Sequence, residues 1–200
     1  MFRKTHLALT LALGVGVVSV GAAAVAESAS DSSGHRAYAV IKNVDGAAVG
    51  SLRIERERFG KSRLTVAVRN LTAGYHGFHV HTTGVCDPKS TDPATGSPFF
   101  SAGGHFSLGS GSHADHSGDL PALLVGADGT ASASVVTDRF RVDQLLDKDG
   151  SAVVVHALPD NHANIPARYS DANGKTGPDE ATLKTGDSGG RIGCGVIAER

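Results

Sequence analysis

The stretch SRLTVAVRNL, residues 62–71, decides the fold class. Leu64, Val66 and Val68 alternate with Thr65, Ala67 and Arg69. That period of two puts one side of an extended chain in a core and the other toward solvent. Working outward, the runs AYAVIKNV (37–44) and AAVGSLRIE (47–55) precede it. YHGFHVH (75–81), PALLVGA (121–127), GTASASVVT (129–137), SAVVVHA (151–157) and RIGCGVIA (191–198) follow, punctuated by Gly, Asp or Asn. Eight short runs with little helical period predict an all-β fold: an eight-stranded antiparallel Greek-key barrel or sandwich, immunoglobulin-like in architecture. Thr137 to Leu146 is the one stretch that reads as a short turn of helix, and there is no internal repeat.

Two long segments interrupt the strands, Thr82 to Asp119 and Pro159 to Gly190, rich in Gly, Ser, Asp and Pro. Structureless loops longer than about 15 residues are functional or disordered. The first holds His105, His113 and His116. A bound metal would offset the entropy of ordering it.

The N-terminus reads as a targeting segment. Arg3 and Lys4 precede the apolar run Leu7 to Val18, and Ala24-Val25-Ala26 is a small-x-small cleavage site. A membrane anchor is the alternative, but Gly14, Gly16, Ser19 and Gly21 weaken the run and a span wants about 20 apolar residues. The expected organisation is a signal peptide over 1–26, a flexible polar leader over 27–36 (ESASDSSGHR) and one domain over 37–200. The mature chain is then secreted or extracytoplasmic, periplasmic or held in the cell envelope, with no membrane span. Removing Arg3 and Lys4 takes the formal net charge from −1 to −3. That balance excludes a strongly basic nucleic-acid binder. The 2 cysteines, Cys86 and Cys194, are too few for a disulfide scaffold and can pair in an oxidising compartment.

The unusual count is 10 histidines. His79 and His81 share one face of a strand, while Phe78 and Val80 share the other. Alone, His-x-His is a weak signal. His105, His113, His116 and Asp119 offer three imidazoles and a carboxylate, a closed tetrahedral set suited to zinc. A solvated His-rich loop is the bland alternative. His156 ends the apolar run Ala152 to Val155, and a lone His there is more often a satisfied core residue; its weight comes from the company of His79 and His81.

Taken together, HGFHVH (76–81), GGHF (103–106), HSGDL (116–120), VVVHALPD (153–160) and KTGDSGGRIGCGVI (184–197) give the chain a resemblance. From about residue 37 to 200 it resembles a copper/zinc superoxide dismutase of the secreted bacterial type. The resemblance implies that His79, His81, His105 and His156 hold copper. It implies that His105, His113, His116 and Asp119 hold zinc, His105 being shared. Asp160 would link a copper His to a zinc His, and Arg191 would receive the anionic substrate superoxide beside copper. Thr185 would line the channel, Lys184 would add positive potential at its rim, and His76 would be a hydrogen-bonding residue of the core or loop. Cys86 and Cys194 would close a loop of about 108 residues, worth about 4–5 kcal/mol in the chain-entropy model, and pin the segment that carries Arg191. The assembly would be a monomer or homodimer.

Departures from the family pattern are a short zinc segment from His105 to Asp119, acids matched loosely by Asp179 and Glu180, and an insertion from Ala163 to Lys175. A copper or zinc carrier on the same scaffold would need no cation at Arg191. A structural or adhesive sandwich would need no His set. A zinc hydrolase using His79 and His81 lacks a general-base carboxylate spaced from that pair.

Overall fold

The structure, a computed structural model, describes residues 36–200. The expected signal peptide and all but the last residue of the expected leader lie outside the described residues. That last residue, Arg36, already pairs with Glu55. The strands are β1 (Arg36–Lys42), β2 (Ala48–Arg56), β3 (Ser62–Val68), β4 (Gly74–His76), β5 (Phe78–His81), β6 (Leu123–Val125), β7 (Ala131–Thr137), β8 (Ser151–His156) and β9 (Arg191–Glu199). Seven form one antiparallel sheet in the order β5-β8-β9-β1-β2-β3-β7, and β4 pairs with β6 in a second.

The alternation that decides the fold class is visible in the packing. Leu64, Val66 and Val68 are buried and Ala67 is exposed. Across the ladder, Leu64 faces Ile54 and Val66 faces Leu52, both buried, so β2 and β3 present one apolar face. Phe78, Val80, Phe106, Leu120, Val153 and Val155 join them in a single core. β8 reads as a continuous apolar run because both its faces are covered. Val153 and Val155 enter the main core, while Ala152 and Val154 pack with Phe99, Ala102 and Cys194 in a second cluster.

All eight runs are strands, but YHGFHVH is divided between the two sheets at Gly77. Here the chain switches partners: β4 pairs with β6, and β5 with β8. A Cβ at Gly77 would lie 2.5 Å from the Ser188 hydroxyl, so only glycine lets the two segments approach. Val142–Leu145 forms the expected short turn of helix and buries Val142 and Leu145.

The segment from Pro159 to Gly190 is not all loop: it carries the helix α1 (Glu180–Thr185). Asp179 caps it by accepting the Thr182 N–H at 2.8 Å. Gly186 ends it in the left-handed conformation that glycine adopts without strain. Among the described residues no helix is long and apolar enough to cross a membrane.

Cys86 and Cys194 form a disulfide that joins the first long loop to β9. Breaking it with a Cys86→Ser, Cys194→Ser pair should lower unfolding free energy by about 4–5 kcal/mol, the loop-closure entropy for this separation. Urea titrations of the oxidised, reduced and doubly substituted protein check this, and the last two should coincide.

Candidate metal centre

β5 delivers the first two imidazoles. Phe78 and Val80 point into the core, so His79 and His81 emerge on the opposite face, both buried. His156 stands at the end of the neighbouring strand β8, directly across from Arg191 on β9.

The first long loop is zipped onto β5 by backbone hydrogen bonds. Val80 N–H donates to Gly118 O at 2.9 Å, Phe106 N–H to Val80 O at 2.8 Å and Thr82 N–H to Gly104 O at 3.0 Å. These bridges set His105 beside His81 and Asp119 beside His79. The loop is therefore ordered by a short ladder and by the buried Phe106 and Leu120, in addition to whatever a metal contributes. His113 N–H donates to Leu183 O at 2.8 Å, which ties the far part of the loop to α1. Arg139, on which no local pattern marks a role, donates to Ala114 O at 2.7 Å and His116 O at 3.1 Å and holds the turn between His113 and His116. His76 takes the expected bonding role: its Nδ1–H donates to His156 O at 2.7 Å and its Nε2 lies 2.8 Å from Thr72 O.

Four of the imidazoles are fixed from behind. His81 Nδ1–H donates to Gly103 O at 2.9 Å and His156 Nδ1–H to Gly189 O at 3.1 Å, which leaves their Nε2 atoms 3.4 Å apart. His79 Nε2–H donates to Asp160 Oδ2 at 2.7 Å, and His113 Nε2–H to Asp160 Oδ1 at 2.8 Å. One carboxylate thus links the two halves of the cluster. His105 Nδ1 lies 2.8 Å from Asp119 Oδ1, and the Nδ1 atoms of His113 and His116 lie 3.1 and 3.2 Å from Asp119 Oδ2. Nitrogens of His79, His81, His105 and His156 fall within 4.8 Å of one another, as do ligand atoms of His79, His105, His113 and Asp119. His116 stands farther out, its ring centroid 5.4 Å from His105 and 5.9 Å from His113.

Three buried nitrogens, Nδ1 of His79, His113 and His116, make no hydrogen bond of normal geometry, those of His113 and His116 having only the close contact with Asp119 Oδ2. Buried polar atoms normally make one. An inward-facing set of lone pairs, backed by carboxylates and carbonyls, is what cations would satisfy. The electrostatics agree. Burial pushes His79, His81 and His156 below the ordinary imidazole range, and it lowers His105 to about 4 despite Asp119, so all four rings are neutral at pH 7. Burial opposes charge at His113 too, but the carboxylates of Asp119 and Asp160, one against each ring nitrogen, outweigh it and raise that group to about 9. Burial would also raise both carboxyls. The imidazoles of His105 and His113 beside Asp119, and of His113 and His79 beside Asp160, hold each well below the usual carboxylate range.

The cluster opens on a cleft of about 1270 Å³ lined by His81, His105, His156, Lys184, Thr185 and Arg191. Two carbonyls position the Arg191 guanidinium, which donates to Phe99 O at 2.6 Å and Gly103 O at 2.7 Å. No carboxylate forms an ion pair with it among the described residues. Its backbone N–H donates to Ser97 Oγ at 2.9 Å. Lys184 differs, because Glu180 one turn earlier pairs with it at 2.5 Å. Of the expected residues, His79, His81, His105 and His156 group together, as do His79, His105, His113 and Asp119, whereas His116 stands outside both groups, Lys184 is partly neutralised and Asp179 is engaged as a helix cap.

Residues 48–197 match the family model described as copper/zinc superoxide dismutase. The superoxide dismutase [Cu-Zn] of Mycobacterium tuberculosis is 45% identical over 159 residues, covering 76% of this chain and 66% of that protein. The chain therefore spans about two thirds of the length of that mycobacterial relative. The superoxide dismutase [Cu-Zn] of Haemophilus parainfluenzae is 32% identical over 208 residues, covering 98% of this chain and 99% of that one. Among solved structures, the Cu/Zn superoxide dismutase from Brucella abortus superposes with a TM-score of 0.60 at 29% identity, covering 82% of this chain and 99% of that one.

Proposed function

This chain belongs to the copper/zinc superoxide dismutase family, and from that premise we propose that it converts two superoxide anions and two protons into dioxygen and hydrogen peroxide. Copper is held by His79, His81, His105 and His156, and zinc by His105, His113, His116 and Asp119. The observation that carries the reading is the set of buried Nδ1 atoms of His79, His113 and His116 around His105, none in a hydrogen bond of normal geometry and two of them facing Asp119. Bound copper supplies the one-electron couple, and bound zinc, which has no redox chemistry, a fixed positive charge.

The chain's own residues do the rest. Arg191, anchored by two carbonyls, docks the anion at the cleft floor. His105, with Nδ1 toward Asp119, turns Nε2 to the copper set and can hold and deliver a proton there. Asp160 fixes the tautomers of His79 and His113, and Thr185 shapes the wall. The disulfide fits export to an oxidising compartment with residues 1–26 as the signal. A carrier on this scaffold would have no use for an unpaired guanidinium beside the open side of the cluster. Metal analysis of the purified mature protein joined to a superoxide-decay assay tests the reading: one copper and one zinc per chain with rapid decay is expected, and metal without dismutation beyond free copper leaves the carrier.

Asp119→Asn removes the only anionic ligand of the zinc set while keeping its shape. Zinc content should fall. The melting temperature should drop by about 5 °C or more, since bound metal stabilises the folded state and about 1 kcal/mol moves Tm by about 2–4 °C in a domain of this size. Unchanged zinc content and melting would remove Asp119 from the site.

A further inference from the structure

The metal centre meets solvent on two sides. One is the cleft of Arg191. The other is a groove of about 790 Å³ whose lining includes Asp119, Asp138, Asp160, His162 and Val136. Both buried carboxylates of the centre border this groove. Its one cation, Arg139, is already engaged by Ala114 O and His116 O, with Asp115 at 3.8 Å.

His162 belongs to neither metal set. Its side chain is 54% exposed, and its Nδ1 lies 3.7 Å from Asp160 Oδ1. Its ring is parallel to that of His113, with centroids 6.4 Å apart and planes 4° apart. Ligand atoms of His113, Asp160 and His162 fall within 4.8 Å of one another. Two imidazoles and a carboxylate form a three-ligand set for zinc with room for water. His113 is common to this outer group and the inner one: Nε2 faces Asp160, and Nδ1 lies 3.1 Å from Asp119 Oδ2.

We propose that this groove is the entrance through which zinc loads the protein, and that His162, with Asp160 and His113, forms a transient outer site at its mouth. The proposal rests on the zinc reading given above. A hydrated divalent cation entering the other cleft meets the unpaired guanidinium of Arg191. That cleft also has Asp92, Glu180 and Asp187 on its walls, but with two cations, Arg191 and Lys184, whereas the groove sets Asp119, Asp138 and Asp160 against Arg139 alone, and the sign of the local field governs encounter. The outer site cannot retain the ion. Asp160 accepts from His79, from His113 and from the His162 backbone N–H at 2.7 Å, so an ion there displaces the Asp160–His113 bond. Passing inward to His113 Nδ1 restores that bond and adds Asp119 and His105. The outer site therefore sets the rate of loading and not the final affinity.

The test is stopped-flow zinc uptake by the metal-free full-length mature protein, competed against a zinc indicator dye. His162→Asn is the main variant, because φ at this position is 56° and asparagine tolerates the left-handed region. Uptake should slow roughly tenfold, the lower end of what losing one supporting group costs a metal site, with one zinc still bound and equilibrium affinity unchanged. Release to a chelator should then slow by the same factor, since affinity is the ratio of the two rates. Val136→Lys puts a cation on the groove wall and should slow uptake most at low salt. Thr95→Lys, on the Arg191 cleft, should not. Wild-type uptake in both His162→Asn and Val136→Lys overturns the proposal, as does equal slowing by Thr95→Lys. If the wild type binds no zinc, the zinc reading itself fails and the entrance with it; normal binding with unchanged rates sinks the entrance alone.

Discussion

His156→Ala should abolish dismutase activity and leave the sheet standing. The side chain contributes one imidazole whose Nε2 lies 3.4 Å from that of His81 and whose Nδ1 is held by Gly189 O. The backbone contributes the fold: His156 N–H donates to Gly77 O at 2.8 Å, and His156 O accepts from His76 at 2.7 Å. Alanine keeps both backbone bonds and removes only the ring. Losing a partner behind a metal ligand costs about 10–100-fold in affinity or activity, so losing the ligand itself should cost at least about 100-fold in copper affinity. Copper content by elemental analysis, superoxide decay and a thermal melt are read together. Loss of copper and activity with folded-state ellipticity retained is expected. Full activity at wild-type copper content takes His156 out of the site.

This separation of ring from backbone explains why so much of the centre is legible in sequence. Strand periodicity alone places His79 and His81 on one face, because Phe78 and Val80 must fill the core. The end of a fully buried strand places His156 beside them. Spacing in the loop places His105 and Asp119, but only the backbone ladder to β5 shows how a Gly-rich loop holds them still. That ladder joins Val80 to Phe106 and Gly118, an encounter that no local pattern encodes.

Other features are hidden for identifiable reasons. The division of YHGFHVH depends on Gly77 meeting Ser188, a contact across the fold, so the run reads as one strand. α1 did carry local signals, with Asp179 at its start, Glu180 in the first turn and Gly186 at its end. Six helical residues inside a segment rich in Gly, Asp and Asn were outweighed by that composition. Arg139 looks like any surface arginine until its guanidinium is found on the carbonyls of Ala114 and His116. Lys184 reads as a free cation, and only the helix shows that Glu180 sits one turn before it and pairs with it. The anion-attracting field of the cleft therefore falls more heavily on Arg191 than the sequence suggests.

Arg191→Ile should lower the second-order rate of superoxide consumption by about tenfold or more while copper and zinc stay near one per chain. The guanidinium touches no metal ligand side chain; its bonds go to Phe99 O and Gly103 O. Gly103 O also accepts from His81, so a small loss of order at that ring is expected, and metal content is the control for it. In the proposed docking role Arg191 carries the encounter, because the chain's formal net charge of −1 gives an anion no long-range attraction and Lys184 is paired with Glu180. Such focusing is worth about 10–10³ in on-rate and falls with ionic strength. The wild type should slow as salt rises and the Debye length shrinks to about 8 Å at physiological ionic strength, while the isoleucine variant should slow less. Arg191→Lys should recover part of the rate, because it restores charge but not the two-carbonyl fork that holds the charge in place. Pulse-radiolysis decay over a range of salt reads all three, and a wild-type rate with wild-type salt dependence in Arg191→Ile would remove the docking role from this residue.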